Sequence, residues 1–185
     1  MDLEDFELIN ICLKNNNEQA FEELVRRYKK LVYSVVYNVL YNKKEVFDVS
    51  QEVFIKVYKN LDKYNPEYKF STWIVKISTN LCLDINRKKK IDVQSIEEIE
   101  FSIGDFNTPE DQFIKREQKL QLDKMIESLP EKYRTLIILF HKNNLSYDEI
   151  TKIINKPMSI VKNRIYRARI MLRDKLYEMR KEDAL

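Results

Sequence analysis

The stretch from Leu145 to Lys175, LSYDEITKIINKPMSIVKNRIYRARIMLRDK, predicts the element around which the rest of the chain is organised. Ser146 and Glu149 have the spacing of a capping box, in which the two residues satisfy each other's free N–H groups at a helix start. Asn155 tolerates the left-handed conformation that ends a helix, and Pro157 disfavours helix at the residue before it. We therefore expect a short helix, a tight turn and a second helix that continues beyond the stretch. This is the helix-turn-helix pattern.

The second helix of this stretch has an apolar face and a basic face. An apolar stripe at positions i, i+4, i+7 and i+11 is expected to face a core: Val161, Ile165, Ala168 and Leu172. From Lys156 to Lys175 there are seven Lys or Arg residues and one acid, Asp174. A solvated basic face of a small bundle is the alternative interpretation. The turn in front of the helix favours DNA binding.

The scarcity of chain-breaking residues predicts an almost wholly helical protein. The 185 residues include one Gly and four Pro, whereas sheets need many turns. Helical periodicity fades over residues 91–112, where acidic residues dominate. We expect an all-α fold with two small helical domains, residues 1–90 and 113–185, joined by an acidic linker at 91–112.

The charges are distributed unevenly along the chain. Residues 1–90 carry 16 Lys or Arg and 13 Asp or Glu, and residues 113–185 carry 17 and 10. Residues 91–112 carry seven acids and no Lys or Arg. Two basic modules separated by a segment of opposite sign suggest two surfaces that face nucleic acid.

The remaining composition argues against several other classes of protein. Cys12 and Cys82 lie far from each other and from the single histidine, His141, so no metal-ligand spacing is present and no metal or other cofactor is expected. The acidic amino terminus does not resemble a secretory signal, and no apolar run is long enough to span a bilayer. We expect a cytoplasmic protein without membrane insertion or a small-molecule substrate.

Two features of the first domain are candidate binding surfaces. A helix from about Lys43 to Leu61 has an inner valine stripe and an outer side on which aromatic residues lie beside acids and Gln51, which suits a protein partner. An ordinary amphipathic helix is the alternative. Further on, Trp73 lies close in sequence to Tyr64, Tyr68 and Phe70 and to basic residues. Such a platform suits unstacked bases, although a lone Trp is by default a core residue.

Taken together, these segments closely resemble an extracytoplasmic-function sigma factor of the bacterial sigma-70 family. The resemblance covers nearly the whole sequence. Its matching segments are AFEELVRRYKKLVYSVVY, DVSQEVFIKVYKNLDKY, FSTWIVKISTNLCLDINRKKK, LPEKYRTLIIL and the opening stretch. Their order and the acidic linker between them make the match specific.

The resemblance implies a role for each domain. The first domain would be sigma domain 2, which binds core RNA polymerase and the −10 promoter element, and the second would be sigma domain 4, which binds the −35 element. The implied polymerase-binding residues are Asp48, Gln51, Glu52 and Phe54. The implied −10 residues are Lys63, Tyr64, Phe70, Trp73, Lys76, Asn80, Arg87 and Lys88. The implied −35 residues are Lys162, Asn163, Arg164, Tyr166 and Arg167.

The resemblance also implies partners and an activity. The partners are promoter DNA and the clamp helices and flap of core RNA polymerase, and an anti-sigma factor is a further candidate because such inhibitors are common in the family. The activity is promoter recognition and DNA melting in transcription initiation, without an enzymatic reaction. A helix-turn-helix regulator with an amino-terminal dimerisation or ligand domain is the alternative, and an enzyme acting on nucleic acid is a third, weaker one.

Three departures from the family pattern are present. Asn155 and Ser159 stand where relatives often have glycine, and Val46-Phe47 occupy a stretch that is often more acidic. Lys162 stands where Arg is frequent, and Lys cannot make a bidentate contact to guanine. The departure at Lys162 bears most directly on which −35 sequence is read.

Overall fold

The computed structural model describes residues 4–15, 17–40, 42–90 and 120–182, and every regular element in these ranges is helical. The predicted all-α class is therefore confirmed. The chain divides into two compact units, one made mainly of the amino-terminal helices and the other mainly of the carboxy-terminal helices. The predicted acidic linker lies outside the described residues, so the domain boundaries stay a prediction.

Between residues 4 and 90, the described part of the first unit forms four α-helices and two 3₁₀ turns. The helices are α1 (Asp5–Asn15), α2 (Glu18–Val39), α3 (Val46–Lys59) and α4 (Phe70–Lys90), and the turns Lys43–Glu45 and Leu61–Lys63 flank α3. Helices α2, α3 and α4 pack against one another, and α1 packs on α2. This arrangement leaves the outer sides of α3 and α4 open.

Helix α2 forms although its second half, VYSVVYNV, is rich in residues that favour strands. Asn17 caps its amino terminus, where the side-chain Oδ1 accepts a hydrogen bond from Ala20 N at 3.1 Å. The valines fall on the inner face with a helical period, and four of them are buried: Val32, Val35, Val36 and Val39. Each buried valine contributes roughly 1.5–3 kcal/mol relative to an exposed one. Burial on one helical face therefore outweighs the local strand preference.

Helix α3 is shorter than the helix expected from Lys43 to Leu61. Its two ends tighten into the 3₁₀ turns because asparagine side chains compete for backbone groups there. Asn42 Oδ1 accepts from Lys44 N at 3.1 Å, and Asn60 Nδ2 donates to Lys56 O at 2.8 Å. The expected inner stripe is confirmed, since all of its members are buried: Val46, Val49, Val53, Val57 and Leu61.

Helix α4 is tied to α2 by a buried polar contact. Asn86 is 2% exposed, and its Nδ2 donates to Val39 O, at the carboxy terminus of α2, at 3.0 Å. Lys43 Nζ also donates to Leu40 O at 2.9 Å. The last carbonyl groups of α2 are thus satisfied by side chains from two other elements. This contact holds α4 against α2 along the half of α4 that follows the aromatic residues.

The second unit consists of short helices followed by one long helix. They are helical residues 120–127 (α5), α6 (Glu131–Ile137), which continues as a π-helical turn over Ile138–Lys142, α7 (Tyr147–Ile154) and α8 (Met158–Glu182). Helices α6 and α8 pack together. Met125, Ile126 and Leu129 are buried, whereas Leu122, which has the same helical spacing, is 45% exposed. Periodicity located the apolar side of α5 without showing where the core ends.

The helix-turn-helix expected from the opening stretch is present. Ser146 N donates to Glu149 Oε2 at 2.9 Å and Glu149 N donates to Ser146 Oγ at 3.2 Å, which is the reciprocal capping box. Asn155 has φ of 50°, in the left-handed region, and ends α7. Helix α8 then starts directly after Pro157. The local prediction is confirmed at each of these positions.

Candidate nucleic-acid and polymerase interfaces

Helix α8 presents most of the predicted −35 residues to solvent. Val161, Ile165 and Ala168 are buried on its inner side. On the other sides, the exposed residues of the predicted set are Lys162, Asn163, Tyr166 and Arg167, whereas Arg164 is half-buried. Tyr166 is 64% exposed, which is unusual for a tyrosine in a packed unit. The inner stripe therefore orients a polar and aromatic surface outward from the first turns of α8.

Two of these exposed side chains have contacts that orient them. Hydrogen bonding from Arg167 lowers the pKa of the Tyr133 hydroxyl, which lies on α6. Lys162 Nζ lies 5.8 Å from the ring centroid of Tyr147, at the start of α7. A cation near an aromatic face is attracted by its quadrupole, by about 0.5–1 kcal/mol at an exposed site. The preceding helices thus restrain side chains of α8 that are candidates for reading bases.

A further basic group on α8 was not identified from the sequence. The Arg169 guanidinium lies 5.3 Å from the Phe140 ring centroid and within hydrogen-bonding distance of His141. Phe140 in turn packs on Tyr147 with ring centroids 4.7 Å apart. The sequence separation of 28 residues between His141 and Arg169 explains why local patterns did not reveal the contact.

Three of the four aromatic residues expected near the start of α4 form one cluster. The rings of Tyr64, Phe70 and Trp73 contact one another with centroids 5.4, 5.5 and 5.6 Å apart. Phe70 is 2% exposed, whereas Tyr64 and Trp73 are half-buried. In this structure Phe70 therefore supports the other two rings and does not itself face solvent. We call Tyr64, Phe70 and Trp73 the aromatic cluster.

Polar residues continue from the aromatic cluster along one side of α4. Lys76 and Asn80 are exposed and fall on the same side of the helix as Trp73. Further along, Arg87 is exposed and forms an ion pair with Asp84 at 3.1 Å. Two other members of the predicted −10 set, Lys63 and Lys88, are also exposed. The first unit thus combines partly exposed rings with positive charge.

A shallow groove separates α3 from the second half of α4. Its volume is about 490 Å³, and its lining residues are Glu45, Asp48, Val49, Glu52, Ile85 and Lys88. Asp48, Gln51 and Glu52 are exposed and Phe54 is half-buried. Phe47, next to the groove acids in sequence, is 65% exposed. An acidic groove beside an exposed aromatic residue fits a protein partner better than it fits nucleic acid.

Neither a cluster of metal-ligating side chains nor an exposed cysteine occurs in the described residues. In the four described ranges, no group of three or more His, Cys, Asp or Glu side chains is arranged to hold a metal ion. Cys12 and Cys82 are buried, and burial raises the pKa of the Cys82 thiol to about 12, which disfavours the nucleophilic thiolate. None of the helices in the described ranges is long and apolar enough to cross a membrane.

The chain matches two protein-family models in the order of its two units. Residues 24–91 match Sigma-70 region 2, and residues 119–172 match Sigma-70, region 4. The chain is also similar to the ECF RNA polymerase sigma factor SigW of Bacillus subtilis, with 38% identity over 176 residues, 90% of this chain and 94% of the relative. It is 34% identical to the ECF RNA polymerase sigma-E factor of Escherichia coli over 89% of this chain and 90% of that one.

These matches define the class as a sigma-70 transcription initiation factor. Within that class, the chain belongs to the extracytoplasmic-function (ECF) sigma factors, and it is an alternative sigma factor. The interpretation as an ordinary helix-turn-helix regulator is not favoured.

Two solved structures share the fold. One is CnrH in complex with the cytosolic domain of CnrY, with a TM-score of 0.69 and 22% identity, covering 94% of this chain and 97% of that one. The other is the sigma factor RpoE in complex with the anti-sigma factor NepR from Bartonella quintana, with a TM-score of 0.70 and 18% identity, covering 85% and 96%.

Proposed function

We propose that the two units divide promoter recognition between them, with residues 1–90 acting as sigma domain 2, residues 91–112 as the linker and residues 113–185 as sigma domain 4. The observation that carries the proposal is that each unit has an exposed candidate surface at the residues implied by the family resemblance. In the first unit these surfaces are the aromatic cluster and the α3–α4 groove. In the second unit the surface is the outer side of α8.

The second unit reads the −35 element as duplex DNA through the major groove. The exposed side chains at the start of α8 supply base contacts, and the neighbouring cations supply contacts to phosphates. Arg167 can make a two-pronged contact to guanine, whereas Lys162 acts as a point charge. We therefore assign base discrimination mainly to Arg167 and Asn163, with Lys162, Arg164 and Tyr166 completing the surface.

The first unit traps unpaired bases of the −10 element. Tyr64 and Trp73 are accessible for stacking, while Phe70 supports them from beneath. Stacking contributes roughly 1–3 kcal/mol for each base, which offsets the cost of unpairing. Asn80 and Lys76 supply polar contacts next to the rings. The positive side chains Lys63, Arg87 and Lys88 bind the phosphate backbone, so binding weakens as salt concentration rises.

The α3–α4 groove region binds core RNA polymerase. Asp48, Gln51 and Glu52 are exposed on one stretch of α3, and their charge suits a basic partner surface such as the polymerase clamp helices. Phe54, half-buried beside them, adds apolar contact. The second unit binds the polymerase flap, which keeps the two DNA-reading surfaces on one enzyme.

Regulation and location follow from the same assignment. CnrH and RpoE were each solved with a bound protein, which in the case of RpoE is an anti-sigma factor. We propose that this chain, too, is held inactive by an anti-sigma factor that covers its polymerase-binding surfaces. It acts in the cytoplasm, where RNA polymerase is found, and carries out no enzymatic reaction of its own.

Run-off transcription tests the proposal. Purified core polymerase is combined with the full-length protein and a library of candidate promoters, and transcripts are sequenced from their 5′ ends. We expect transcripts that start only when the protein is added and that share two upstream elements. If the protein alone binds an operator tightly but adding it to core polymerase yields no promoter-dependent transcripts, the helix-turn-helix regulator would be supported instead.

A further inference from the structure

Helix α1 lies outside the stretch matched by the region 2 model, yet one of its side chains is fixed to α2. Asp5 Oδ1 accepts a hydrogen bond from Arg27 Nη1 at 3.2 Å. The other carboxylate oxygen, Oδ2, accepts a hydrogen bond from the Tyr28 hydroxyl. Both oxygen atoms of one carboxylate are therefore used by two successive residues of α2.

Tyr28 connects this carboxylate to the aromatic cluster. Its ring contacts Phe70 edge-on, with centroids 5.1 Å apart and planes inclined at 71°. Phe70 is the buried member that supports Tyr64 and Trp73. Only two ring contacts and one hydrogen bond thus separate Asp5 from the indole ring of Trp73.

The charge of Asp5 also acts on the aromatic cluster. Burial is the main reason that the pKa of Tyr64 is raised, and the negative charge of Asp5 raises it further. Helix α1 also packs against the 3₁₀ turn Leu61–Lys63, which leads into Tyr64. Asp5 and its helix therefore lie next to the cluster from two directions, through Tyr28 and through the turn.

We propose that Asp5 is a positioning residue for the surface that binds unpaired promoter bases. By holding the Tyr28 hydroxyl, Asp5 fixes the tilt of the Tyr28 ring against Phe70. Phe70 in turn fixes the orientation in which Tyr64 and Trp73 meet a base. This inference rests on the proposed function of the aromatic cluster and extends it to α1.

The main competing explanation is a purely stabilising contact between α1 and α2. A part-exposed ion pair such as Asp5–Arg27 contributes little to stability. Its loss would slightly lower the free energy of unfolding of the whole unit and would not act on the aromatic cluster in particular. The two explanations differ in which partner matters. A positioning role depends on Tyr28 and on Trp73, whereas a stabilising role depends equally on Arg27 and not on Trp73.

The test measures opening of a duplex promoter by polymerase containing the full-length protein, using permanganate reactivity of unpaired thymines. Asp5→Ala and Tyr28→Phe should each lower the open fraction roughly two- to tenfold, as expected for the net loss of one part-buried hydrogen bond. Asp5→Asn should recover part of the loss, since an amide oxygen still accepts from Tyr28. Glu22→Ala, which removes an exposed acid on α2, is the matched control.

Two further measurements distinguish a positioning role of Asp5 from a purely stabilising one. On a template already unpaired at −10, Asp5→Ala should still bind less well, because the rings that meet the bases are misaligned, while its affinity for core polymerase stays unchanged. In the Trp73→Ala background, Asp5→Ala should cause a smaller loss of opening than in the wild type, because only Tyr64 remains to be positioned. Additive losses in that double variant, or an effect of Arg27→Gln as large as that of Asp5→Ala, would overturn the positioning role.

The two levels of the proposal fail in distinguishable ways. Normal opening by both Asp5→Ala and Tyr28→Phe, alongside impaired opening by Trp73→Ala, would refute the role of Asp5 alone. Normal opening by Trp73→Ala would refute the function of the aromatic cluster and the positioning role with it. If Asp5→Ala fails to fold, judged by its thermal unfolding, Tyr28→Phe decides the question because it keeps the packed ring.

Discussion

The Arg169 guanidinium lies beside the ring of His141, with its Nε and Nη2 atoms 3.4 and 3.3 Å from His141 Nε2. The ring nitrogen can accept a hydrogen bond from Arg169 only while the imidazole is neutral. Burial, and secondarily the charge of Arg169, hold the pKa of His141 below its ordinary value of 6.5. The contact is therefore sensitive to pH.

The first prediction concerns this pH dependence. Between the lowered pKa of folded His141 and 6.5, the folded chain binds fewer protons at this residue than the unfolded chain does. The contribution of His141 to the free energy of unfolding is therefore complete above pH 6.5 and is lost as the pH falls through that window. We expect His141→Gln, which accepts from Arg169 without titrating, to lose less thermal stability than the wild type between about pH 7.5 and 5.5. The difference should be small because His141 is only partly buried and its contact with Arg169 is open to solvent. Melting temperatures that fall by the same amount in both proteins over this pH range would contradict the prediction.

The second prediction concerns discrimination at −35. Arg167→Ala should reduce the preference for the native −35 sequence over single-base variants by roughly 1–3 kcal/mol at the position it reads. Competition binding with a set of −35 variants measures this preference. Arg173→Ala is the control, because Arg173 is paired with its neighbour Asp174 at 2.8 Å and lies further along α8. An unchanged ranking of −35 variants with Arg167→Ala would remove that residue from base readout.

The third prediction concerns binding to the polymerase. Reversing the charge of Asp48 and Glu52 together should weaken binding to core polymerase at least about tenfold, or 1.4 kcal/mol, because both acids line the α3–α4 groove. Titration with a fluorescently labelled protein measures the affinity. Glu22→Lys, which reverses an exposed acid on α2, is the matched control. Retained affinity in the double reversal would argue against the groove as the docking surface.

The fourth prediction concerns the turn of the helix-turn-helix. Asn155 has φ of 50°, a region that costs most other residues about 1–2 kcal/mol. Asn155→Ala should therefore lower the free energy of unfolding by about 1 kcal/mol, whereas Asn155→Gly should be neutral or slightly stabilising. Denaturant unfolding of the three proteins measures the differences. Equal stability of the Ala and Gly variants would indicate that the turn relaxes away from the left-handed conformation.

The behaviour of Asn155 illustrates how much of the structure could be predicted from the sequence. The capping box of Ser146 and Glu149, the left-handed Asn155 and the valine stripe of α3 all depend on residues within a few positions of one another. Their physical causes are local, so spacing alone identified them. The family resemblance added the order of the two units, which the comparisons support.

Contacts between distant parts of the chain could not be predicted in this way. Periodicity shows that Phe70 lies on an apolar side, but only the packed structure shows that it supports Trp73 from beneath. The hydrogen bond between Asp5 and Tyr28 joins residues 23 positions apart, so no local pattern predicts it. The exposure of Leu122 is a further case, because helical spacing does not show where a core ends.

We propose that the two units act on different steps of initiation, −35 recognition and −10 opening. The most direct measurement follows closed-complex affinity and permanganate-detected opening in parallel for Arg167→Ala and Trp73→Ala, each assembled with core polymerase on one duplex promoter. We predict that Arg167→Ala weakens the closed complex while the bound fraction still opens, and that Trp73→Ala binds normally but opens poorly. Impairment of the same step by both variants would contradict the division of promoter recognition between the two units.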